Sequence, residues 1–124
     1  MGFRPEDYCL LVVDDEEDLA DIVAEELEDY GFKVKTAYSG REALEVVKSQ
    51  PIDYVVSDIK MPNGDGKELL SSIRSRDPAV PVVLLMTGFS EVSEDEVVNA
   101  GATALLNKPI DIEALFERIK KHFS

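Results

Sequence analysis

Five short apolar runs, each followed by a stretch of helical spacing, set the narrowest limit on how this chain can fold. Cys9-Leu10-Leu11-Val12-Val13 has no polar alternation, so it reads as a strand buried on both faces. From Glu17 onward, Leu19, Ile22, Val23, Leu27 and Tyr30 recur at helical intervals and stop at Gly31, which predicts the first helix. Lys33-Val34-Lys35-Thr36-Ala37 alternates charged with less polar residues, the pattern of an edge strand whose lysines discourage further pairing. Ser39-Gly40-Arg41-Glu42 is a capping box that opens a second helix through Ala43, Leu44 and Val47, before Pro51.

The same alternation continues to the end. Ile52 to Ser57 is a third strand ending on an acid, Asp58, and Met61 to Gly66 is dense in turn formers. Leu69, Leu70 and Ile73 then mark a third helix before Asp77-Pro78. Val82 to Met86 is the strongest strand signal and is expected to be a central rather than an edge strand, followed by Thr87-Gly88. Ser93-Glu94-Asp95-Glu96 repeats the capping box before Val97, Val98 and Ala100, and Gly101 closes that helix. A weaker strand near Thr103 to Asn107 is ended by Lys108-Pro109. Asp111 caps a last helix whose apolar stripe is Ile112, Leu115, Phe116, Ile119 and Phe123. Alternating strands and helices with right-handed crossovers predict an α/β fold, a doubly wound parallel sheet with helices on both faces. For five strands the natural order is 2-1-3-4-5, with a ligand crevice at the switch point between strands one and three.

A chain of 124 residues with 44% hydrophobic content is expected to form one domain over residues 1–124, either standing alone or excised from a longer protein. Its formal charge of −13 opposes direct binding to nucleic acid or to an anionic membrane surface. The acidic excess keeps the domain soluble, or favours basic partners or a bound cation. Cys9 alone cannot form an internal disulfide and is expected to be a small buried side chain. Met1 to Pro5 lack the apolar stretch of a signal peptide and no segment reaches membrane-spanning length, so a cytoplasmic location is expected.

In that topology the polar residues converge. Asp14 and Asp15 follow strand one, Asp58 strand three, Thr87 strand four and Lys108 strand five, all at carboxyl ends. Adjacent strands are roughly 5 Å apart, close enough for Asp15 and Asp58 to share a ligand. Three such carboxylates repel one another unless protonated, separated or bridged by a cation. Oxygen-only ligands favour Mg²⁺ or a similar hard ion over zinc. Lys108 adds a point charge and Thr87 a hydroxyl donor, which an incoming phosphoryl group needs, leaving Asp58 as the natural nucleophile. Taken singly, Asp14-Asp15 reads as a helix cap, Thr87 as a turn hydroxyl and Lys108 as a solvated strand end. Their coincidence is what points to a site.

At these residues the sequence resembles the receiver domains of bacterial response regulators, over essentially the whole chain. Asp14-Asp15, Asp58 with Lys60-Met61-Pro62 and Asn63-Gly64-Asp65-Gly66, Thr87-Gly88 and Lys108-Pro109 appear in that family's order. The resemblance implies a flavodoxin-like fold and a phosphoacceptor switch that is not an enzyme with a separate substrate, though it assists its own phosphorylation and dephosphorylation. It implies that Asp58 is the phosphoacceptor, that Asp15 and Asp58 bind Mg²⁺ directly, that Asp14 does so partly through water, and that the Lys60 carbonyl completes the set. Thr87 and Lys108 would contact the phosphoryl group, and the Lys108-Pro109 peptide would be cis. The donor would be the phosphohistidine of a histidine kinase or histidine phosphotransfer protein, and the surface altered would be that of the fourth helix, fifth strand and fifth helix. The sequence names no output partner. Leu105 stands where the family commonly has an aromatic residue, so the usual aromatic switch is not expected. Lys60 and Phe89 flank the site and would tune water access by that resemblance, packing or surface roles being the alternative.

Two rival classes use similar parts. An aspartyl-phosphate phosphatase would need a general acid two residues beyond the nucleophile, where this chain has Lys60. A binding module that has lost phosphorylation has no reason to keep the acidic set. Asn63 to Gly66 resembles part of a calcium-binding loop, but the later glutamate is missing, so a turn is the better reading.

Overall fold

The computed structural model describes residues 2–63, 65–88 and 92–124. Strands β1 (Cys9–Val13), β2 (Lys33–Ala37), β3 (Tyr54–Asp58), β4 (Val82–Thr87) and β5 (Ala104–Asn107) alternate with helices α1 (Glu17–Asp29), α2 (Gly40–Ser49), α3 (Gly66–Arg76), α4 (Glu94–Asn99) and α5 (Ile112–Phe123). All strand pairs are parallel, in the expected order β2-β1-β3-β4-β5. A short 3-10 turn over Pro5–Asp7, which the sequence pattern did not indicate, precedes β1.

The sheet has two buried faces, and strand residues divide between them with the period of two that the pleat imposes. Leu11, Val13, Val55, Val83 and Leu85 pack with Ala43, Leu69, Leu70, Ile73 and Val97 from α2, α3 and α4. Leu10, Val12, Tyr54, Val56, Leu84 and Met86 pack with Ala20, Val23, Leu27, Leu115 and Ile119 from α1 and α5. The central strands are therefore apolar along their length, as continuous runs rather than alternating ones. β2 alternates exposed lysines with more covered residues, as an edge should. At the other edge the Glu94 carboxylate accepts the Leu105 N–H at 3.1 Å, satisfying a donor that no strand pairs with.

The starts of α2, α3, α4 and α5 follow the capping chemistry. Ser39, Ser93 and Asp111 accept backbone N–H groups from Glu42, Glu96 and Glu113. Asp65 does the same for α3, accepting the Glu68 N–H, a role its turn-rich surroundings obscured. Gly31 and Gly101, both at φ +111°, end α1 and α4 in a backbone region that β-carbons disfavour.

Three expectations need correction. β3 begins at Tyr54 rather than Ile52 and includes Asp58, because its ladder with β4 runs to the Asp58 and Met86 pair. β5 begins at Ala104 rather than Thr103, where its pairing with β4 starts. Cys9 is only half-buried, since it opens β1 and lines a crevice with Lys33, Pro51 and Asp53, and burial together with the nearby Asp53 charge pushes its thiol up. The Lys108–Pro109 peptide is cis as the resemblance implied, and so is Val80–Pro81.

Candidate functional site

The predicted residues meet at the carboxyl ends of the strands. Asp14 follows β1 and is almost wholly buried, Asp15 beside it is exposed, Asp58 closes β3 at 8% exposure and Thr87 closes β4 at 2%. These positions follow from register: Val13 lies opposite Ser57, Asp58 opposite Met86, and Thr87 opposite Asn107. The Lys108 N–H donates to the Thr87 carbonyl at 2.9 Å, so β5 delivers the lysine directly beside the end of β4.

Asp14, Asp15 and Asp58 can each offer a carboxylate oxygen such that the three lie within 4.8 Å of one another. This fits a hard cation with oxygen ligands and carries no histidine or cysteine donor. Asp14 uses Oδ1 to accept the Glu16 N–H at 3.0 Å, a bond ahead of the helix; α1 has Glu16 at its N-cap with no side-chain cap bond, so the helix-cap reading of Asp14-Asp15 does not hold. Asp14 Oδ2 accepts from Lys108 Nζ at 2.8 Å, and the same ammonium reaches Asp58 Oδ2 at 3.2 Å. Lys60 is exposed, two residues past the end of β3. Gly64 and Phe89, which the sequence reading placed beside the site, lie outside the described residues.

Electrostatics follow from burial. Desolvation pushes the Asp58 carboxyl above its ordinary value, against the opposing charge and hydrogen bond of Lys108. Burial by itself would lower Lys108, but its hydrogen bond to Asp14 and the charges of Asp58 and Asp14 outweigh that and hold the ammonium above its ordinary value. The lysine is thus a protonated counter-charge inside an acidic crevice.

Two further features border this crevice. An apolar cleft of about 380 Å³, lined by Leu19, Ile22, Val23, Met86, Pro109 and Ile110 among others, opens next to Asp14 and Lys108. Ser57 is fully buried and its hydroxyl donates to the Asp58 carbonyl at 2.9 Å. Sequence reasoning passed over Ser57, although a lone hydroxyl in an apolar strand just before the candidate nucleophile was a visible signal.

Residues 10–120 match the family model described as the response regulator receiver domain. Transcriptional regulatory protein ZraR of Salmonella typhimurium is 39% identical over 113 residues, covering 90% of this chain and 25% of that protein. The sensor histidine kinase RcsC of Salmonella typhi is 34% identical over 110 residues, covering 89% of this chain and 12% of that protein. The chain therefore spans a quarter or less of the length of these curated relatives. The structure of the response regulator TrrA of Thermotoga maritima in complex with Mg²⁺ and BeF superposes with a TM-score of 0.82 at 34% identity, covering 92% of this chain and 97% of that one. Parallel five-stranded topology, a cluster of acids at the strand ends and the family match over residues 10–120 agree, and the chain belongs to the response regulator receiver domains.

Proposed function

We propose that this receiver domain accepts a phosphoryl group on Asp58 from a phosphohistidine, with Mg²⁺ held at the acidic cluster, and that the acyl phosphate alters its partner binding. The observation that carries the reading is Lys108 Nζ bridging Asp14 and Asp58 at 2.8 and 3.2 Å, which puts a fixed positive charge beside the acceptor carboxylate. Asp14, Asp15, Asp58 and the Lys60 carbonyl would hold the ion, whose chemistry is to neutralise charge on the carboxylates and the transferring phosphoryl oxygens.

An oxygen of the Asp58 carboxylate forms the new O–P bond as the donor's N–P bond breaks, and the imidazole nitrogen keeps the electron pair. Lys108 exchanges its contact with the Asp58 oxygen for one with the phosphoryl group, and Thr87 offers it a hydroxyl donor. The domain acts as a switch rather than as an enzyme on a separate substrate. With Leu105 in place of an aromatic residue, the change passes through Thr87, its backbone link to Lys108 and the β5 edge. The apolar cleft rimmed by Leu19 and Ile22 suits the protein donor, a histidine kinase or phosphotransfer protein, because it borders Asp14 and Lys108. Residues 1–124 act as one signalling unit in this reading, either alone or joined to an output domain.

Mass spectrometry after incubation with a small phosphoramidate tests the reading. One Mg²⁺-dependent phosphoryl adduct is expected, lost in Asp58→Asn; the same adduct persisting in that variant would contradict it. Sustained turnover of a phosphomonoester would favour the phosphatase class instead.

A further inference from the structure

We propose that Ser57 and Gly66 are positioning residues for the acceptor, locking the two peptide planes that separate Asp58 from the Lys60 carbonyl. The inference rests on the reading of Asp58 as phosphoacceptor and of the Lys60 carbonyl as a ligand for the ion. Among the described residues four polar or charged side chains are buried: Asp14, Asp58, Thr87 and Ser57. Three belong to the site by their own chemistry, and Ser57 is the one without an assigned part. A fully buried hydroxyl is costly unless bonded. This one donates to the carbonyl of the next residue, Asp58, at 2.9 Å rather than to a neighbouring strand.

The peptide plane between Asp58 and Ile59 is thereby held at both ends. Its carbonyl takes the Ser57 hydroxyl, and its Ile59 N–H donates to the Met86 carbonyl at 3.0 Å. The following plane is held by Gly66, whose N–H donates to the Ile59 carbonyl at 2.7 Å and so closes the loop after β3 onto its own start. Only glycine fits there. A β-carbon at residue 66 would collide with the Asp58 carbonyl oxygen and lie 2.9 Å from Ile59 Cα and 3.1 Å from Asp58 C. Ser57 and Gly66 thus both close on one carbonyl, that of Asp58. A carboxylate on one side of these planes and a carbonyl on the other can serve one small cation only if the planes between them do not rotate.

The test compares Ser57→Ala, Ser57→Thr, Gly66→Ala and a remote core variant, Ile119→Val. Calorimetry of Mg²⁺ binding to the unphosphorylated protein is one readout, and the phosphorylation rate at saturating Mg²⁺ is the other. Ser57→Ala and Gly66→Ala should weaken Mg²⁺ binding about tenfold. Ser57→Thr keeps the hydroxyl and should restore the parent value, whereas Ile119→Val should lower stability without moving Mg²⁺ affinity. Parent-like Mg²⁺ affinity in Ser57→Ala, or an equal loss in Ile119→Val, overturns the proposal. If Gly66→Ala does not fold, the Ser57 pair decides. A parent that forms the Asp58 adduct while Ser57→Ala behaves normally sinks this inference alone; a parent that binds no Mg²⁺ and forms no adduct sinks the functional reading beneath it.

Discussion

Lys108 Nζ donates to Asp14 Oδ2 at 2.8 Å, a shorter contact than the 3.2 Å it makes with Asp58 Oδ2. The ammonium is therefore anchored on the acid that does not accept phosphorus in the proposed chemistry, and shares itself with the one that does. This arrangement neutralises part of the acidic cluster by a charge that belongs to the chain. It also means that lysine and a divalent cation act on the same carboxylates.

Removing that charge separates the two roles. In Lys108→Ala the buried Asp14 loses a charged hydrogen-bond partner, which should cost about 2 kcal/mol of stability without divalent ions. Mg²⁺ should bind more tightly than in the parent and recover most of that loss, by mass action on the folded state. Phosphoryl transfer should nevertheless slow about a hundredfold, as loss of one positioned cation typically does. Thermal melts with and without Mg²⁺, set beside transfer rates, check this. A melting temperature no more sensitive to Mg²⁺ than the parent's would refute the shared-carboxylate account.

The cleft beside the site gives a prediction that separates donors. Ile22 is 52% exposed at its rim, so Ile22→Asp should change stability by less than about 0.5 kcal/mol. A small phosphoramidate does not need this surface and should phosphorylate the variant at the parent rate. Transfer from a phosphohistidine protein should fall at least about tenfold through lost apolar contact and added charge. Equal losses with both donors would place the effect on the chemistry instead of on docking.

Most of the strand frame and the acidic set were legible in the sequence for one reason. A central parallel strand is apolar along its length, so the first polar residue after such a run marks a carboxyl end. Asp14 and Thr87 stand out on that ground, and Lys108 follows Asn107, the first polar residue after its own run. Which acid the lysine prefers was not legible, because a four-carbon stem can reach either Asp14 or Asp58 and the choice depends on how far β5 extends past β4. Nor was the approach of Gly66 to Asp58. A glycine in a turn-rich stretch has several possible reasons to be there, and only the closed loop between Ile59 and Gly66 selects one. Asp53 illustrates the same limit: its side chain accepts the Cys9 N–H at 2.8 Å, a contact across the bottom of the sheet that no local pattern encodes.

Aromatic packing far from the site supports a stability prediction. Phe116 on α5 stacks on Tyr30 at 4.1 Å between ring centroids and meets Phe3 and Phe32 edge-on at 6.1 and 6.0 Å. It thus ties the N-terminal segment, the end of α1 and α5 together. Phe116→Ala should cost about 2 to 3 kcal/mol in urea denaturation, below the range for a fully buried ring because Phe116 keeps some exposure. Phosphorylation of the folded fraction should stay at the parent rate, and a large loss there would mean that this cluster is coupled to the crevice.

Alkaline pH should expose the burial of Tyr54. Its ring is 1% exposed, and burial pushes its hydroxyl from 10.0 up to about 12, with the Arg118 charge opposing only weakly. The sign follows from proton counting: an unfolded chain gives up this proton near its ordinary pKa, while the folded chain retains it until about 12. Below 10.0 both states are protonated and Tyr54 contributes its full stabilisation; between 10.0 and about 12 the unfolded state is progressively favoured. The slope is about 1.4 kcal/mol per pH unit, so the parent should lose roughly 2 kcal/mol across that window through this residue. Tyr54→Phe has no proton to lose, and its stability relative to the parent should rise by that amount as pH climbs. Urea denaturation of both proteins at stepped alkaline pH measures the difference, and parallel curves would show that Tyr54 ionises in the folded state as easily as in the unfolded one.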